Sequence, residues 1–365
     1  MQLFDSFLYS TVHLIIVSLF SIYYSLYLNR KNAISLFKRR RTGYLVLFYS
    51  VLFIIVVGLR PNSAAFGDTV TVARTYQEFT RMADPIVFTR DSLFYLFMWW
   101  CSRFLSVSGF FLILEIIYIV PMMIACYRFY KKNTDIGLLF CLAAFSFWAY
   151  AVNGMRNGAA CSLVVLSISL IQGNIINKII AAVSSIIAIG FHTSAILPVL
   201  CIMIALIVRK RQVMFFVWGI SILISLAFGN SISSFFANLG FDDRLSYIQE
   251  GLDGGMYTKT GFRWDFLLYS AVPIILGYYI VLKKKVYDSV YLLLLGTYIY
   301  ANSFWIMVIR AEYSNRFAYL SWFLYPFVLS YPLLKLRIWP KTQGSKVALI
   351  MTLHLAFTLI MFFVF

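Results

Sequence analysis

Residues 213–229 (VMFFVWGISILISLAFG) carry no charge, and runs of this kind recur from one end of the chain to the other. A helix crossing hydrocarbon needs roughly 20 predominantly apolar residues. Runs near that length lie at 6–28, 43–59, 110–128, 136–152, 156–173, 178–191, 194–208, 213–229, 264–282, 287–308, 317–334 and 346–364. With 62% hydrophobic and only 12% charged residues, the composition falls outside that of soluble domains. The fold class expected is all-α: a polytopic transmembrane helix bundle of about 12–14 membrane helices, forming one integral-membrane domain over 1–365.

Charge sets the orientation. The formal net charge is +17, and most of it sits in short clusters between apolar runs: Arg30 and Lys31, Lys38 to Arg41, Lys131 and Lys132, Arg209 to Arg211, Lys283 to Lys285, and Lys335 with Arg337. This is the positive-inside pattern of a plasma-membrane protein, not a nucleic-acid footprint. The expected external loops are then about 60–92, 153–156, 191–193, 230–263 and 309–316. Counting 91–107 (DSLFYLFMWWCSRFLSV) as a crossing would place Lys131 and Lys132 outside, so that segment reads as an interfacial or re-entrant helix. The first run lacks a basic leader and a small-residue cleavage site, and is expected to remain as a helix with the N-terminus outside. The five cysteines all lie in apolar runs without metal-ligand spacing, so neither a disulfide framework nor a metal site is expected.

Sorting the basic residues by side separates lysine from arginine. Among the lysines only Lys259 falls outside, whereas Arg60, Arg74, Arg81, Arg90, Arg156, Arg244, Arg263, Arg310 and Arg316 all do. A guanidinium offers a planar fork of donors and a charge that does not titrate away, which suits phosphate or carboxylate in a partly dry site. The alternative is that these arginines are solvated or paired with Asp68, Glu78, Asp84, Asp91, Asp242, Asp243, Asp265 and Glu312. Arg60, Arg156 and Arg316 stand out, because each lies at a helix end within reach of the bilayer edge, where a charge is retained for a reason.

His192 stands at an external helix mouth in the same layer as Arg156, where an imidazole can take a proton from a sugar hydroxyl. His13 and His354 lie within spans and read as polar residues bonded to a neighbouring helix. Glu115, inside a span, is either functional or the partner of Arg103. In VNGMRNGAAC (152–161) the Asn-Gly pairs suggest a tight turn, with Gly158 leaving room for a ligand at the next helix's N-terminus, itself an anion site.

Four blocks, in order, resemble the EpsG family of exopolysaccharide and Wzy-type O-antigen polymerases. GLRPNSAAFGDTVTVARTYQEF (58–79) is similar to the family's first external loop, matching Arg60, Asp68 and Tyr76. NGMRNG (153–158) matches Asn153 and Arg156, FHTSAILP (191–198) matches His192 and Ser194, and SNRFAYLSWFLYPFVL (314–329) matches Arg316. The chain departs from the family's pattern in its longer Arg60-to-Asp68 spacing, in reading Gly-Asp-Thr for Gly-Thr-Asp, and in Asn157 for Gln. Arg244 and Gly255 also enclose a spacing found in polysaccharide polymerase loops.

The resemblance implies a glycosyltransferase with GT-C-like architecture in the bacterial inner membrane. Its substrates would be undecaprenyl-diphosphate-linked oligosaccharides, joined on the periplasmic face by metal-independent inverting transfer. No cofactor is expected, and the partners would be the bilayer and the pathway's flippase and chain-length regulator. Arg60, Arg156 and Arg316 would hold the diphosphate, His192 or Asp68 would serve as base, and Tyr76, Asn153, Arg244 and Arg310 would be further substrate contacts. The rival readings are a flippase for the same lipids, a membrane acyltransferase acting on surface sugars, and a transferase using a lipid-monophosphate donor.

Overall fold

The computed structural model describes residues 2–38, 43–84, 90–208, 210–238, 261–310 and 314–363. Among these there is no strand. Seven helical stretches are long and apolar enough to cross a membrane, and five shorter apolar helices accompany them. Large apolar side chains such as Leu19, Phe48, Ile179 and Ile186 point outward and are exposed. In water such a surface would drive aggregation, whereas in lipid it is solvated and each helix satisfies its own backbone. The chain is a multi-pass helical membrane protein. It folds as two compact units, residues 1–195 with 330–365, and residues 196–329.

The first unit begins with α1 (Gln2–Asn29), the short α2 (Ala33–Phe37) and α3 (Leu45–Gly58). An amphipathic helix, α4 (Thr69–Arg81), follows, and then α5 (Ser92–Cys101). The ten residues of α5 reach about 15 Å, half the hydrocarbon thickness, so α5 cannot cross alone. Next come α6 (Val107–Tyr130), whose first turn is capped by the Ser106 hydroxyl accepting from Gly109 N–H at 3.2 Å, and α7 (Thr134–Leu142). The run 136–152 is broken after Leu142, and α8 (Phe147–Val152) restarts it. The long pair α9 (Met155–Leu170) and α10 (Ile175–Phe191) closes this part of the unit.

In the second unit α11 (Ile196–Ile207) and α12 (Arg211–Asn238) lead to α13 (Trp264–Tyr278), α14 (Ser289–Met307), α15 (Ser314–Trp322) and the start of α16 (Tyr325–Lys335). Its core is aromatic and internally hydrogen-bonded. Trp218 donates to Asn302 Oδ1 at 2.9 Å, Trp322 donates to Ser270 Oγ at 2.8 Å, and the Tyr269 and Tyr325 rings stack at 4.2 Å. Away from water, each such bond removes a donor that would otherwise be unsatisfied.

The chain returns to the first unit in the last residues of α16 and in α17 (Gln343–Phe363), which packs along α1. The lysine-bearing turns of this unit gather at one end. There Gly344 N–H donates to Lys31 O at 3.0 Å, Asn133 donates to Leu334 O at 3.4 Å, and Asp135 accepts from Tyr24 at 2.6 Å and from Gly43 N–H at 2.9 Å. α6 runs from this end to the other, where Arg60, Asp68, Arg156 and His192 lie. His13 and His354 sit between, bonded to the carbonyls of Leu142 (3.1 Å) and Phe140 (3.0 Å) on α7, as polar groups tying neighbouring helices together.

Candidate functional site

The centre of the site is a residue that the sequence offered only as one acid among many. Asp91 precedes α5 with a left-handed backbone (φ 50°), an uncommon conformation that aspartate tolerates better than most residues. The carboxylate takes four donors. Oδ1 accepts from the Thr193 N–H at 2.7 Å and from its hydroxyl at 2.9 Å. Oδ2 accepts from Arg156 Nη1 at 2.8 Å and faces His192 Nδ1 at 3.4 Å. Burial alone would raise the Asp91 pKa, but the His192 contact, the Thr193 N–H and the Arg156 charge outweigh it and hold the carboxyl well below the usual carboxylate range. Asp91 is therefore an anion at every physiological pH.

Each partner is placed by its own helix. Arg156 lies in the first turn of α9, and its Nη1 also donates to Tyr95 Oη at 3.0 Å. The guanidinium lies 5.6 Å from the ring centroids of both Phe94 and Tyr95, so α5 supplies one wall of its pocket. The Arg156 side chain is 32% exposed, and among the described residues Nε and Nη2 have no hydrogen-bond partner. Asp91 thus holds one edge of the fork and leaves the other available to an anion. His192 caps the C-terminus of α10 in extended conformation, and its ring is buried. An Nδ1–H turned to Asp91 makes Nε2 the basic nitrogen of the ring.

The first loop is joined to the same place. Asn153 Oδ1, in the turn between α8 and α9, accepts from the Asp68 N–H at 3.0 Å. Gly67 has φ 62°, and a Cβ there would lie 2.2 Å from that Asn153 oxygen, so only glycine allows the approach. Asp68 itself is exposed.

Other expected ligands are placed differently. The Arg60 side chain has no solvent exposure: Nη1 donates to Glu115 Oε1 at 3.2 Å and to Val57 O at 2.7 Å. Its guanidinium is occupied inside the protein, so its expected contact with a diphosphate is corrected to a buried ion pair. The partner of Glu115 is therefore Arg60, not Arg103, which donates to Phe79 O and lies over the Trp99 ring. Tyr76 is buried and donates to Leu105 O at 2.9 Å, a packing role. Only the first Asn-Gly pair makes a turn. Asn157 and Gly158 are buried within α9, where a Gly158 Cβ would meet Tyr150 O at 2.8 Å, so this glycine serves helix packing instead of ligand access. Arg310 and Arg316 belong to the second unit, and Arg244 lies outside the described residues.

Residues 43–365 match the EpsG family. The chain belongs to the EpsG family. Comparison with curated proteins and with solved structures returned no match. The EpsG match begins beside α3 and takes in every residue of the Asp91 cluster. Membership gives the chain a polysaccharide-polymerase type of role in the membrane. Within that family frame, Asp91 was missed because it lies in a loop, beside Arg90, with no helical periodicity to place it. The one available signal was its position immediately before an apolar helix too short to cross.

Proposed function

We propose that this protein joins lipid-diphosphate-linked oligosaccharide repeat units on the external face of the bacterial plasma membrane. The observation that carries the reading is the single carboxylate of Asp91 between Arg156, at 2.8 Å, and His192, at 3.4 Å. Glycosyl transfer from a diphosphate needs charge at the leaving group and a base at the acceptor, and this arrangement brings one of each together.

In the proposed reaction an acceptor sugar hydroxyl attacks the anomeric carbon of the donor chain. The new C–O bond forms as the bond to the lipid diphosphate breaks, with inversion, and His192 Nε2 receives the hydroxyl proton. Asp91 holds the imidazole in the required tautomer and stabilises the imidazolium that forms. The outer edge of Arg156 takes the charge that develops on the departing diphosphate, and preorganised charge of this kind commonly contributes several kcal/mol. A diphosphate leaves without protonation, so no general acid is assigned. Asp68, exposed and held through its backbone, is the second candidate base, and Asn153 places it. Arg316 is kept as a ligand on the resemblance, and Arg310 as a further substrate contact on its place among the external arginines.

The test is a deletion strain scored on a surface-polysaccharide gel and complemented with Arg156→Ala and His192→Ala. Loss of a polymerase leaves a single repeat unit on the acceptor, and neither variant restores the ladder although both reach the membrane. Complete loss of surface sugar would indicate a flippase. Full-length polymer lacking a modification would indicate an acyltransferase, and polymer of normal length with either variant would reject the assigned residues.

A further inference from the structure

Arg60 makes more contacts than a pair with Glu115 requires. Nη2 lies 2.8 Å from Met155 Sδ and 3.3 Å from Thr69 Oγ1, while Nη1 reaches Val57 O and Glu115. The Thr69 hydroxyl in turn lies 3.0 Å from Phe66 O and 3.3 Å from Val152 O. One guanidinium, its face 5.1 Å from the Phe111 ring centroid, therefore gathers the end of α3, the start of α4, the wall of α6 and the first turn of α9. Val152 and Met155 flank the Asn153-Gly154 turn, so the turn is held on both sides. Successive residues of a helix project about 100° apart. With Met155 fixed against Arg60, the next residue, Arg156, is aimed at Asp91.

Stability gives no sufficient reason for a charge pair here, since well-packed apolar residues often replace a buried pair without loss. Glu115 Oε2 is buried with no hydrogen-bond partner, which is a further cost of keeping the pair. What an apolar replacement cannot supply is the directed fork.

We infer that Arg60 and Glu115 are a buried positioning pair that sets the α8–α9 turn and so fixes how Arg156 meets the diphosphate. The inference rests on the reading of Arg156 as the diphosphate ligand. Neither residue touches substrate; both act through Arg156.

The test is the affinity of the purified full-length protein, in detergent, for farnesyl diphosphate, which presents the leaving group on a short isoprenoid. The paired variant Arg60→Met with Glu115→Leu removes both charges at similar volume. It should bind about tenfold more weakly than wild type, matching Arg156→Gln. Added to Arg156→Gln, the paired change should cost nothing more, since its effect passes through a side chain already gone. A merely structural role would instead leave affinity unchanged in the folded fraction. Thr69→Val, nearly isosteric, removes only the hydroxyl that links Arg60 to Val152 and should weaken binding about threefold; it decides the matter if the paired variant does not fold. Wild-type affinity in whichever of these folds, or a loss that multiplies with that of Arg156→Gln, overturns the inference. Wild-type affinity in Arg156→Gln alone overturns the reading of Arg156 and this inference with it.

Discussion

Arg156 and His192 converge on one oxygen of Asp91, Nη1 at 2.8 Å and Nδ1 at 3.4 Å. The carboxylate is thus shared between a cation that can hold a leaving group and an imidazole that can take a proton. Lysine in place of Arg156 keeps the charge but loses the planar fork that grips Asp91 with one edge and presents the other. Arg156→Lys is expected to polymerise at least tenfold more slowly than wild type, and Arg156→Gln more slowly still, in initial-rate assays on purified lipid-linked repeat units. Equal rates for the lysine variant and wild type would show that a point charge suffices and that the fork has no role.

The depressed pKa of Asp91 makes a prediction about pH. Burial pulls the pKa up, but His192, the Thr193 N–H and Arg156 pull it further down, so the group is favoured as the anion in the folded state. A group whose folded pKa lies below its unfolded value, about 3.9 for aspartate, contributes its full stability above that value. The contribution is lost as pH falls through the folded pKa. The difference in melting temperature between wild type and Asp91→Asn should therefore be constant from pH 8 to pH 5 and shrink below about pH 4. A gap that instead closes before the pH has fallen to 5 would show that the ionised Asp91 carboxylate is not what sets the dependence.

Long apolar runs and lysine-rich turns declared a helical membrane protein, because lipid demands length and hydrophobicity that nothing else in a sequence imitates. Arg156 and His192 were legible because a charge and an imidazole at the ends of apolar helices have few other reasons to be there. Arg60 satisfied the same rule and was misread. Whether a helix-end arginine faces solvent or turns inward depends on a carboxylate, Glu115, far away in sequence and hidden in an apolar run. Asp91 was missed for the complementary reason: its four donors come from α9 and the Thr193 turn, and no local spacing announces a contact made by tertiary packing.

Gly67 offers a local test of how the first loop is attached. Alanine there meets two obstacles, a backbone at φ 62° and a Cβ only 2.2 Å from Asn153 Oδ1. Gly67→Ala should lower stability by more than about 1 kcal/mol and reduce polymer yield, because the Asp68 N–H loses its acceptor. Shortening the obstructing side chain by Asn153→Ala in the same protein removes the clash but not the strain. The double variant should recover part of the stability and none of the lost hydrogen bond. A melting temperature in Gly67→Ala equal to that of wild type would show that the loop rearranges freely and that the Asn153 contact does not hold it.

The buried Arg60–Glu115 pair separates the cost of breaking an ion pair from the cost of lacking one. Arg60→Met alone leaves the Glu115 carboxylate without a countercharge in a dry site, and breaking a buried pair in this way commonly costs about 3–5 kcal/mol. Glu115→Leu alone strands the guanidinium, which still has Val57 O and Thr69 Oγ1 to bond, so its cost should be the smaller of the two. Removing both charges together should return the protein to within about 1 kcal/mol of wild type, since the desolvation penalty disappears with the pair. Thermal unfolding of the four proteins in one detergent measures the cycle. Additive losses in the double variant would show that the two side chains are stabilised independently, and the pair would then have no claim to act as a unit.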